Sequence, residues 1–559
     1  MTDGTNPTTQ EELTEPLLPQ GDDVESIPPE DVCATTDNDD TNNDDTGDGD
    51  NTTEFSFQNE VAEMVNLGIP LAVSFFCRMG MASTDSAFVG HIHNGDNSPE
   101  VYLAAAVLSD MMVTLCITPP LAFNQIVSAL VGQAMGSNNP KMAGIWLQQS
   151  MFWIAVTMTP CLVGLFYVQP CLELLGFSHE ISEVAGQYAK WNLLWPVPNG
   201  LYQCLRFYFQ ACGFPRPAMY NNLAFLGINT LLNWIFVFGG PIPGWNGFGF
   251  IGAAISLSIS RTMQGVCYFI YMFLIKEHHK HAWPDAGWSF THHTRERTWE
   301  FLKQSLPNVG TLLFQAVSSQ ATTVLLGRLG DAAIAASSAL STVTIPWSGT
   351  MSATCGMVSG VRVGYHLGRG DGEAARRASW LMIHFITVMC ILTSIVFIPL
   401  KRQIMMIATD DDEVIDLAVK VVAAMLVGNY LNLLVGNITS VFGGQGRPLI
   451  ATILSFGLEL PTSIGGMAIV ILVLHGNLIG VYWWNAIAGG IEAVIVVWLL
   501  TRSNWAKCAD DTQRRQEADS NEEEEDAATE PESSLERPSD ETSSSDEGDS
   551  PETPLIERV

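Results

Sequence analysis

Acidic side chains occur inside long apolar stretches of this 559-residue chain, where a charged group is costly. Asp85 precedes an apolar run, and Glu459 stands just before a proline. A carboxylate in such a place can bind and release H⁺ or Na⁺, or it can form a buried structural pair. Ion binding is favoured for Asp85, and a structural pair is favoured for Asp110 and Glu492. For Glu459 both interpretations stay open.

Charge is concentrated in the two ends of the chain. Residues 1–54 contain seventeen Asp/Glu and no Lys/Arg, and residues 506–559 contain nineteen acids and five bases. These tails hold -31 of the net charge of -33, so the 451 residues between them are close to neutral. Both tails are rich in polar residues and poor in aromatics, which predicts disorder.

The region between the tails contains apolar segments long enough to cross a bilayer, which needs about 20 residues. Hydropathy, with Gly, Pro and charge as boundaries, gives twelve of them. Their approximate limits are 60–90, 100–136, 142–169, 182–212, 216–240, 249–276, 298–329, 331–368, 373–400, 413–443, 447–473 and 478–502. The sequence therefore predicts an all-α polytopic membrane protein.

Basic residues in the loops predict the orientation. With both termini in the cytoplasm, the inner loops contain thirteen Lys/Arg and the outer loops contain three. This bias agrees with the positive-inside rule. We expect an N-lobe over 55–277, a cytoplasmic loop over 278–297 and a C-lobe over 298–505, flanked by cytoplasmic tails.

Local motifs repeat at a nearly constant offset. The segment VGQAMG at 131–136 and the segment VGYHLG at 363–368 both end in GxxxG, 232 residues apart. The segments GFPRP at 213–217 and GQGRP at 444–448 are 231 residues apart. Six spans separate the members of each pair, so the halves share one orientation. Two similar lobes around a cavity are typical of transporters that work by alternating access.

Residues 60–505 resemble the multidrug and toxic compound extrusion (MATE) family, of the eukaryotic detoxification-carrier type. The matching segments are DSAFVG at 85–90, QAMG at 133–136, LRFYFQACG at 205–213, NTLLN at 229–233, FG at 238–239, GAA at 252–254 and VRVGYHLGRG at 361–370. The resemblance implies two six-helix lobes and cation-coupled export of organic compounds.

The resemblance also implies roles for single residues. Asp85 lies near the position of the family's ion-coupling carboxylate. Asn229 and Asn233 share one helix face, where the family places an amide and often a second acid. Having Asn at both positions leaves Asp85 as the only acid there, which favours H⁺ over Na⁺, although plain hydrogen bonding between helices is an alternative. Gln315 stands where eukaryotic members commonly have glutamate, so it can bind substrate but cannot carry a proton.

Other polar and aromatic residues are candidates for the cavity or the gates. Tyr430 and Trp347 are aromatic walls for a cationic substrate or belong to the interfacial belt. The field of Arg78 can hold Asp85 ionised, or Arg78 can neutralise Asp110. Residues near the cytoplasmic helix ends are expected to close the lobes, with both arginines pairing or snorkelling. They are Gln133, Gly136, Arg206, Arg362, Gly364 and Gly368.

The expected function is a secondary antiporter that exports organic compounds against H⁺, or less favourably Na⁺. No other cofactor, no metal and no nucleic-acid partner is expected, and the unit is a monomer among membrane lipids. Acidic dileucine-like segments in the tails suggest a vacuolar or endolysosomal membrane, with the plasma membrane as the alternative. One rival is a flippase for lipid-linked precursors. The other is a membrane enzyme with a metal site in the histidine-rich loop, but no Walker, HExxH or GxSxG motif supports enzymatic activity.

Overall fold

The computed structural model describes residues 56–90, 92, 99–284, 287–289, 293–407, 409 and 411–529. All regular elements in these residues are helical. The predicted disorder of residues 1–54 and 530–559 lies outside the described part. The expectation of an all-α protein is therefore confirmed for the described residues.

The first half of the chain, residues 57–282, forms nine α-helices. Their bounds are α1 Phe57–Gly90, α2 Pro99–Leu121, α3 Phe123–Gly136, α4 Pro140–Leu165, α5 Val168–Leu174, α6 His179–Trp191, α7 Pro196–Ala211, α8 Pro215–Phe238 and α9 Phe250–Phe269. A π-helix, Ile270–Ile275, and a 3₁₀-helix, His278–Ala282, follow α9. Proline stands at the break between α2 and α3 and at the start of α7, where the helical hydrogen bonds are interrupted.

The second half, residues 295–529, forms eight further α-helices. Their bounds are α10 Arg295–Gly327, α11 Asp331–Gly368, α12 Gly372–Met405, α13 Asp412–Gly444, α14 Pro448–Leu454, α15 Gly466–Ala468, α16 Leu478–Thr501 and α17 Trp505–Thr529. Two π-helical segments, Ser455–Gly465 and Ile469–Val473, flank α15. Long π-helices are rare and occur frequently at functional sites.

Eight helices of the described part are long and apolar enough to cross a membrane, or nine if α4 and α5, bent by 59°, form one span. The predicted spans 182–212, 249–276 and 331–368 do not reach that standard as helices. Helix α7 is only 16 residues long, and α9 carries Arg261 inside the helix, which lowers its hydropathy. Length and composition alone thus support a multi-pass protein, but not the count of twelve.

The two repeated glycine motifs meet each other. A Cβ on Gly136 would overlap the carbonyl oxygen of Tyr365, and one on Gly368 would overlap that of Gln133. A Cβ on Gly132 would lie 2.8 Å from the Val361 oxygen. The backbones of α3 and α11 therefore approach each other as closely as small-xxx-small packing allows. This contact joins the first half of the chain to the second.

The prediction that residues 506–559 are disordered is wrong for the segment up to residue 529. Helix α17 contacts α11 and α12, and one face of it is buried. The buried side chains of this face are Trp505, Cys508, Ala509, Thr512 and Gln516. Cys508 and Ala509 are fully buried, and Gln516 Oε1 accepts a hydrogen bond from Ser137 Oγ at 3.3 Å. The high acid content of the tail conceals this short amphipathic stretch.

We expect Gly136→Ala to destabilise the protein, because the new methyl group has no room beside the Tyr365 carbonyl. Overpacking of this kind costs about 1–3 kcal/mol. The matched control is Gly227→Ala, since a Cβ there meets nothing within 4 Å. The melting temperature (Tm) of the purified protein in detergent should fall for the first variant and not for the second. Equal Tm values for the two variants would contradict the close contact.

Candidate ion-coupling site

Asp85 lies in the last two turns of α1, which packs along α8. Its side chain is buried, with 9% exposed. The carboxylate Oδ1 accepts hydrogen bonds from Asn229 Nδ2 and Asn233 Nδ2, each at 2.7 Å. Because the two amides are four residues apart, both face α1. The structure therefore brings together the three residues that the sequence grouped.

The two amides leave oxygen atoms unused beside the carboxylate. Asn229 Oδ1 and Asn233 Oδ1 are buried and have no hydrogen-bond partner within the described residues. Asn233 Nδ2 also donates to the Asn229 backbone oxygen at 3.0 Å, which helps to fix its orientation. Amide and carboxylate oxygens accept a hydrogen bond from a protonated acid and are the ligands that small hard cations prefer.

Other charges act on this site from neighbouring helices. Arg261 of α9 and Asp110 of α2 lie within electrostatic range of Asp85. Arg78 lies two turns before Asp85 in α1. It forms no ion pair with Asp85 or Asp110 in the described part of the chain. The suggestion that Arg78 neutralises Asp110 therefore has no contact to support it.

A second charged cluster joins the start of α1 to the end of α11. Glu60 Oε1 accepts a hydrogen bond from Arg362 Nε at 2.9 Å, and Glu60 Oε2 accepts one from Arg362 Nη2. His366 Nε2 lies 3.0 Å from Glu60 Oε2. The Glu60 side chain is buried, with 4% exposed. Arg362 thus pairs across the two halves of the chain, and we call the three residues the Glu60 latch.

Sequence reasoning missed two members of the Glu60 latch. Glu60 looked like an ordinary acid in the first turn of a helix, where negative charge is common. His366 lies inside the second glycine motif, one turn after Arg362, and that spacing was the available signal.

Gln133 adds a hydrogen bond at the same end of the helices. Its Nε2 donates to the Gly444 backbone oxygen at 2.8 Å. Gly444 begins the second copy of the repeated GFPRP-like segment. This bond, the glycine contact and the Glu60 latch all close the seam between the halves at one end.

Arg206 does not behave as a gate residue at a helix end. Its side chain is fully buried, and its guanidinium carbon lies 4.8 Å from the centre of the Phe75 ring and 4.5 Å from that of the Phe207 ring. None of its three guanidinium nitrogens has a hydrogen-bond partner in the described residues. The expectation of pairing or snorkelling is wrong here, because α7 presents this side chain to α1 and not to a surface.

Glu459 lies apart from Asp85, in the π-helical segment Ser455–Gly465 of the second half. Glu459 and Glu492 line one small cavity of about 20 Å³. Glu492 Oε1 accepts a hydrogen bond from Thr462 Oγ1 at 2.9 Å. Two carboxyl groups in so small a space favour a state in which at least one is protonated.

The candidate cavity residues are spread over three helices. Gln315 is exposed on α10. Trp347 and Tyr430 are half-buried and pack against the main hydrophobic core, and the Tyr430 hydroxyl lies 3.2 Å from Thr387 Oγ1. Their position beside this core agrees with packing as well as with a cavity wall.

Histidines of the loop after α9 pack on aromatic rings. His278 stacks on Phe214 at 4.3 Å, and His279 stacks on Phe273 at 4.5 Å between ring centres. Within the residues that the structure describes, no three His, Cys, Asp or Glu side chains are grouped as metal ligands. These contacts favour packing over a metal site for the two histidines.

The MatE family model matches residues 70–235 and 307–464, which together are more than half of the chain. The chain belongs to the MATE family. It is therefore an integral, multi-pass membrane transporter of the multidrug and toxic compound extrusion type, and not an enzyme.

Relatives from several kingdoms agree with the MATE assignment. The chain is 24% identical to an uncharacterised transporter of Schizosaccharomyces pombe over 460 residues, 80% of each protein. It is 24% identical to Protein DETOXIFICATION 35 of Arabidopsis thaliana over 471 residues, 82% of this chain and 90% of that one. Its fold is similar to the crystal structure of the eukaryotic MATE transporter AtDTX14, with a TM-score of 0.70 and 19% identity over 82% of this chain and 99% of that chain.

We expect Glu60→Gln to destabilise the closed arrangement of this MATE protein, because the substitution removes the ion pair between the buried Glu60 carboxylate and Arg362, whose side chain is 12% exposed. Breaking a buried ion pair costs about 3–5 kcal/mol. The control is Glu373→Gln, which removes exposed pairs with Arg376 at 3.3 Å and Arg377 at 3.5 Å and should cost at most about 1 kcal/mol. Thermal unfolding in detergent compares the two variants. A Tm for Glu60→Gln no lower than that of the control would show that the Glu60 latch adds no stability.

Proposed function

We propose that this protein is a secondary active antiporter that exports organic compounds in exchange for H⁺. The observation that carries the proposal is the buried Asp85 carboxylate held by two amide donors. A buried carboxylate without a salt bridge changes its protonation when its surroundings change. A transporter needs such a group, because it must bind its coupling ion in one state and release it in another.

Two lobes of six helices each, over 55–277 and 298–505, provide the alternating access. The family model matches one segment in each half, and the repeated glycine motifs of the two halves contact each other. Both observations support this arrangement. With both termini in the cytoplasm, as the loop charges predict, the closed seam lies on the cytoplasmic side. The arrangement of the helices then corresponds to a state closed to the cytoplasm.

Helix α1 links the coupling acid to the Glu60 latch. Glu60 and Asp85 are 25 residues apart in one helix, which places them about 37 Å apart along its axis. Pro70 lies between them and is a natural point for bending. Protonation of Asp85 weakens its hold on the two amides of α8, and movement of α1 then acts on the Glu60–Arg362 pair.

H⁺ is the preferred coupling ion, because Asn229 and Asn233 bring no second acid into contact with Asp85. A Na⁺ site with two carboxylates would require one. Na⁺ remains the alternative, since the unused oxygens of Asn229 and Asn233 are suitable cation ligands. Glu459 is the candidate for a second coupling acid, beside Glu492.

The proposed substrate is an organic compound, either a cation, a xenobiotic or a secondary metabolite. Gln315 is available to bind its polar groups, and Tyr430 and Trp347 supply aromatic surface. The names of the relatives, which include multidrug resistance and detoxification proteins, support this substrate class. A monomeric transport unit in a vacuolar, endolysosomal or plasma membrane completes the proposal.

We expect Asp85→Asn to abolish gradient-driven export, because an amide cannot take up a proton. Proteoliposomes loaded with ethidium are given an imposed pH gradient or an imposed Na⁺ gradient, and dye efflux is followed by fluorescence. The unmodified protein should respond to the pH gradient, and Asp85→Asn should fall to the level of empty liposomes. The control Glu413→Gln changes an exposed acid and should transport normally. Efflux that depends on Na⁺ alone would replace H⁺ as the coupling ion, and full activity of Asp85→Asn would move the coupling acid elsewhere.

We expect Glu459→Gln to reduce export less than Asp85→Asn does, by about tenfold or less, because Glu492 remains in the same cavity to carry the proton. The double variant Glu459→Gln, Glu492→Gln removes both acids and separates this contribution from that of Asp85. The same efflux assay compares the three proteins. Unchanged efflux in the double variant would assign both acids a structural role.

A further inference from the structure

Three arginines lie in the interior of the first half, on three different helices. They are Arg78 of α1, Arg206 of α7 and Arg261 of α9, and we call them the arginine cluster. Arg206 is fully buried, and Arg261 is 8% exposed. Arg206 lies over the Phe75 ring and Arg261 contacts Met81, so both reach α1 within one turn of Arg78 and lie within electrostatic range of it. No salt bridge connects any of them to a carboxylate within the described residues.

The hydrogen-bond donors of the arginine cluster are largely unused. All three guanidinium nitrogens of Arg206 and one of Arg78 are buried without a partner in the described part of the chain. Arg261 Nη1 donates a long hydrogen bond to the sulfur of Met81, at 3.7 Å. Arginine stays protonated in proteins, so the charge cannot be relieved by loss of a proton. A buried cation–π contact such as those at Arg206 contributes on the order of 2 kcal/mol. Burial of a cation costs several kcal/mol, so these rings alone are a poor substitute for a counter-charge.

Neutral polar groups surround the arginine cluster and add further donors. The Tyr202 hydroxyl lies within electrostatic range of all three arginines. It donates to Asn222 Oδ1 at 3.0 Å, and Gln264 Nε2 donates to the same oxygen at 2.8 Å. These two bonds fix the orientation of the Asn222 amide. Within the described residues, Asn222 Nδ2 and the Tyr268 hydroxyl are buried and have no hydrogen-bond partner.

The nearest acids only partly compensate this charge. Asp85 lies within electrostatic range of Arg261, and Asp110 lies within range of Asp85. Both Asp85 Oδ1 hydrogen bonds go to amides and not to an arginine. Three positive charges therefore face at most two negative ones, and all the strong unused donors are on the positive side.

We propose that the arginine cluster is a binding site for a small anion, of the size of a halide or a carboxylate group. Charged donors on Arg78, Arg206 and Arg261 supply the attraction, and Asn222 Nδ2 and Tyr268 supply neutral donors. The anion replaces the missing counter-charge in a region of low dielectric constant. This site is separate from the oxygen-rich group at Asp85, and the proposal does not depend on which ion drives transport.

Thermal stability of the purified full-length protein tests the site without any ion gradient. Chloride or acetate replaces isethionate, a sulfonate that is neither a halide nor a carboxylate, at constant ionic strength and pH, and unfolding is followed by tryptophan fluorescence. An anion that binds only the folded protein raises the Tm in a saturable manner. A response to chloride identifies a halide-sized site, and a response to acetate alone identifies a site for carboxylate groups. A Tm that is independent of both anions would overturn the proposal.

Substitutions of single charged residues show where the anion that raises the Tm binds. Arg206→Gln keeps a polar side chain but removes one charge-assisted interaction, which should raise the half-saturating anion concentration about tenfold or more. Arg376→Gln, at an exposed position, is the control and should leave it unchanged. Asp85→Asn removes a negative charge facing Arg261 and should lower the half-saturating concentration. If Arg206→Gln does not fold, Arg78→Gln takes its place. A half-saturating concentration that stays the same in the available arginine variant would place the anion elsewhere and refute the assignment.

Discussion

The close approach of α3 and α11 is the contact on which the rest of the structure depends. Gly136 and Gly368 have no Cβ, and no Cβ has room there beside the opposing backbone. In a membrane, helices gain little from burying apolar surface against each other, so association depends on such close packing and on polar contacts. The contact fixes the position of one half relative to the other along the helix axes. In this position Gln133 donates a hydrogen bond to Gly444 and Glu60 pairs with Arg362.

Helix α1 carries charges that belong to three different sites. Glu60 at its start forms the Glu60 latch, Arg78 belongs to the arginine cluster, and Asp85 near its end contacts α8. In the proposed mechanism, a change at one of these sites acts on the helix that the other two share. Such coupling requires no chain of side chains between the sites, because one helix with two arrangements is sufficient.

Periodicity explains which parts of the site could be predicted from the sequence. Asn229 and Asn233 had to share a helix face, and the repeat had to place the two glycine motifs at equivalent helix ends. The partner of Arg362 could not be predicted, because Glu60 lies about 300 residues away and only the packed fold brings it near. Helix α17 could not be predicted from the composition of the tail. The many acidic residues of the tail indicate disorder, and they conceal the helical spacing of the few apolar residues in α17.

Two helices of the first half carry arginines in the interior of the bundle. The segments that fall short of a membrane span include α7 and α9, and these carry Arg206 and Arg261 inside the bundle. Neighbouring helices cover both side chains, so lipid does not meet them. With Asp85 and Asp110 ionised, the three arginines leave an excess of one positive charge, and protonation of Asp85 raises the excess to two. Under the proposed H⁺ coupling, each proton taken up makes the interior less favourable for a cation and more favourable for an anion, so that H⁺ and a cationic substrate would have opposite preferences for the same state.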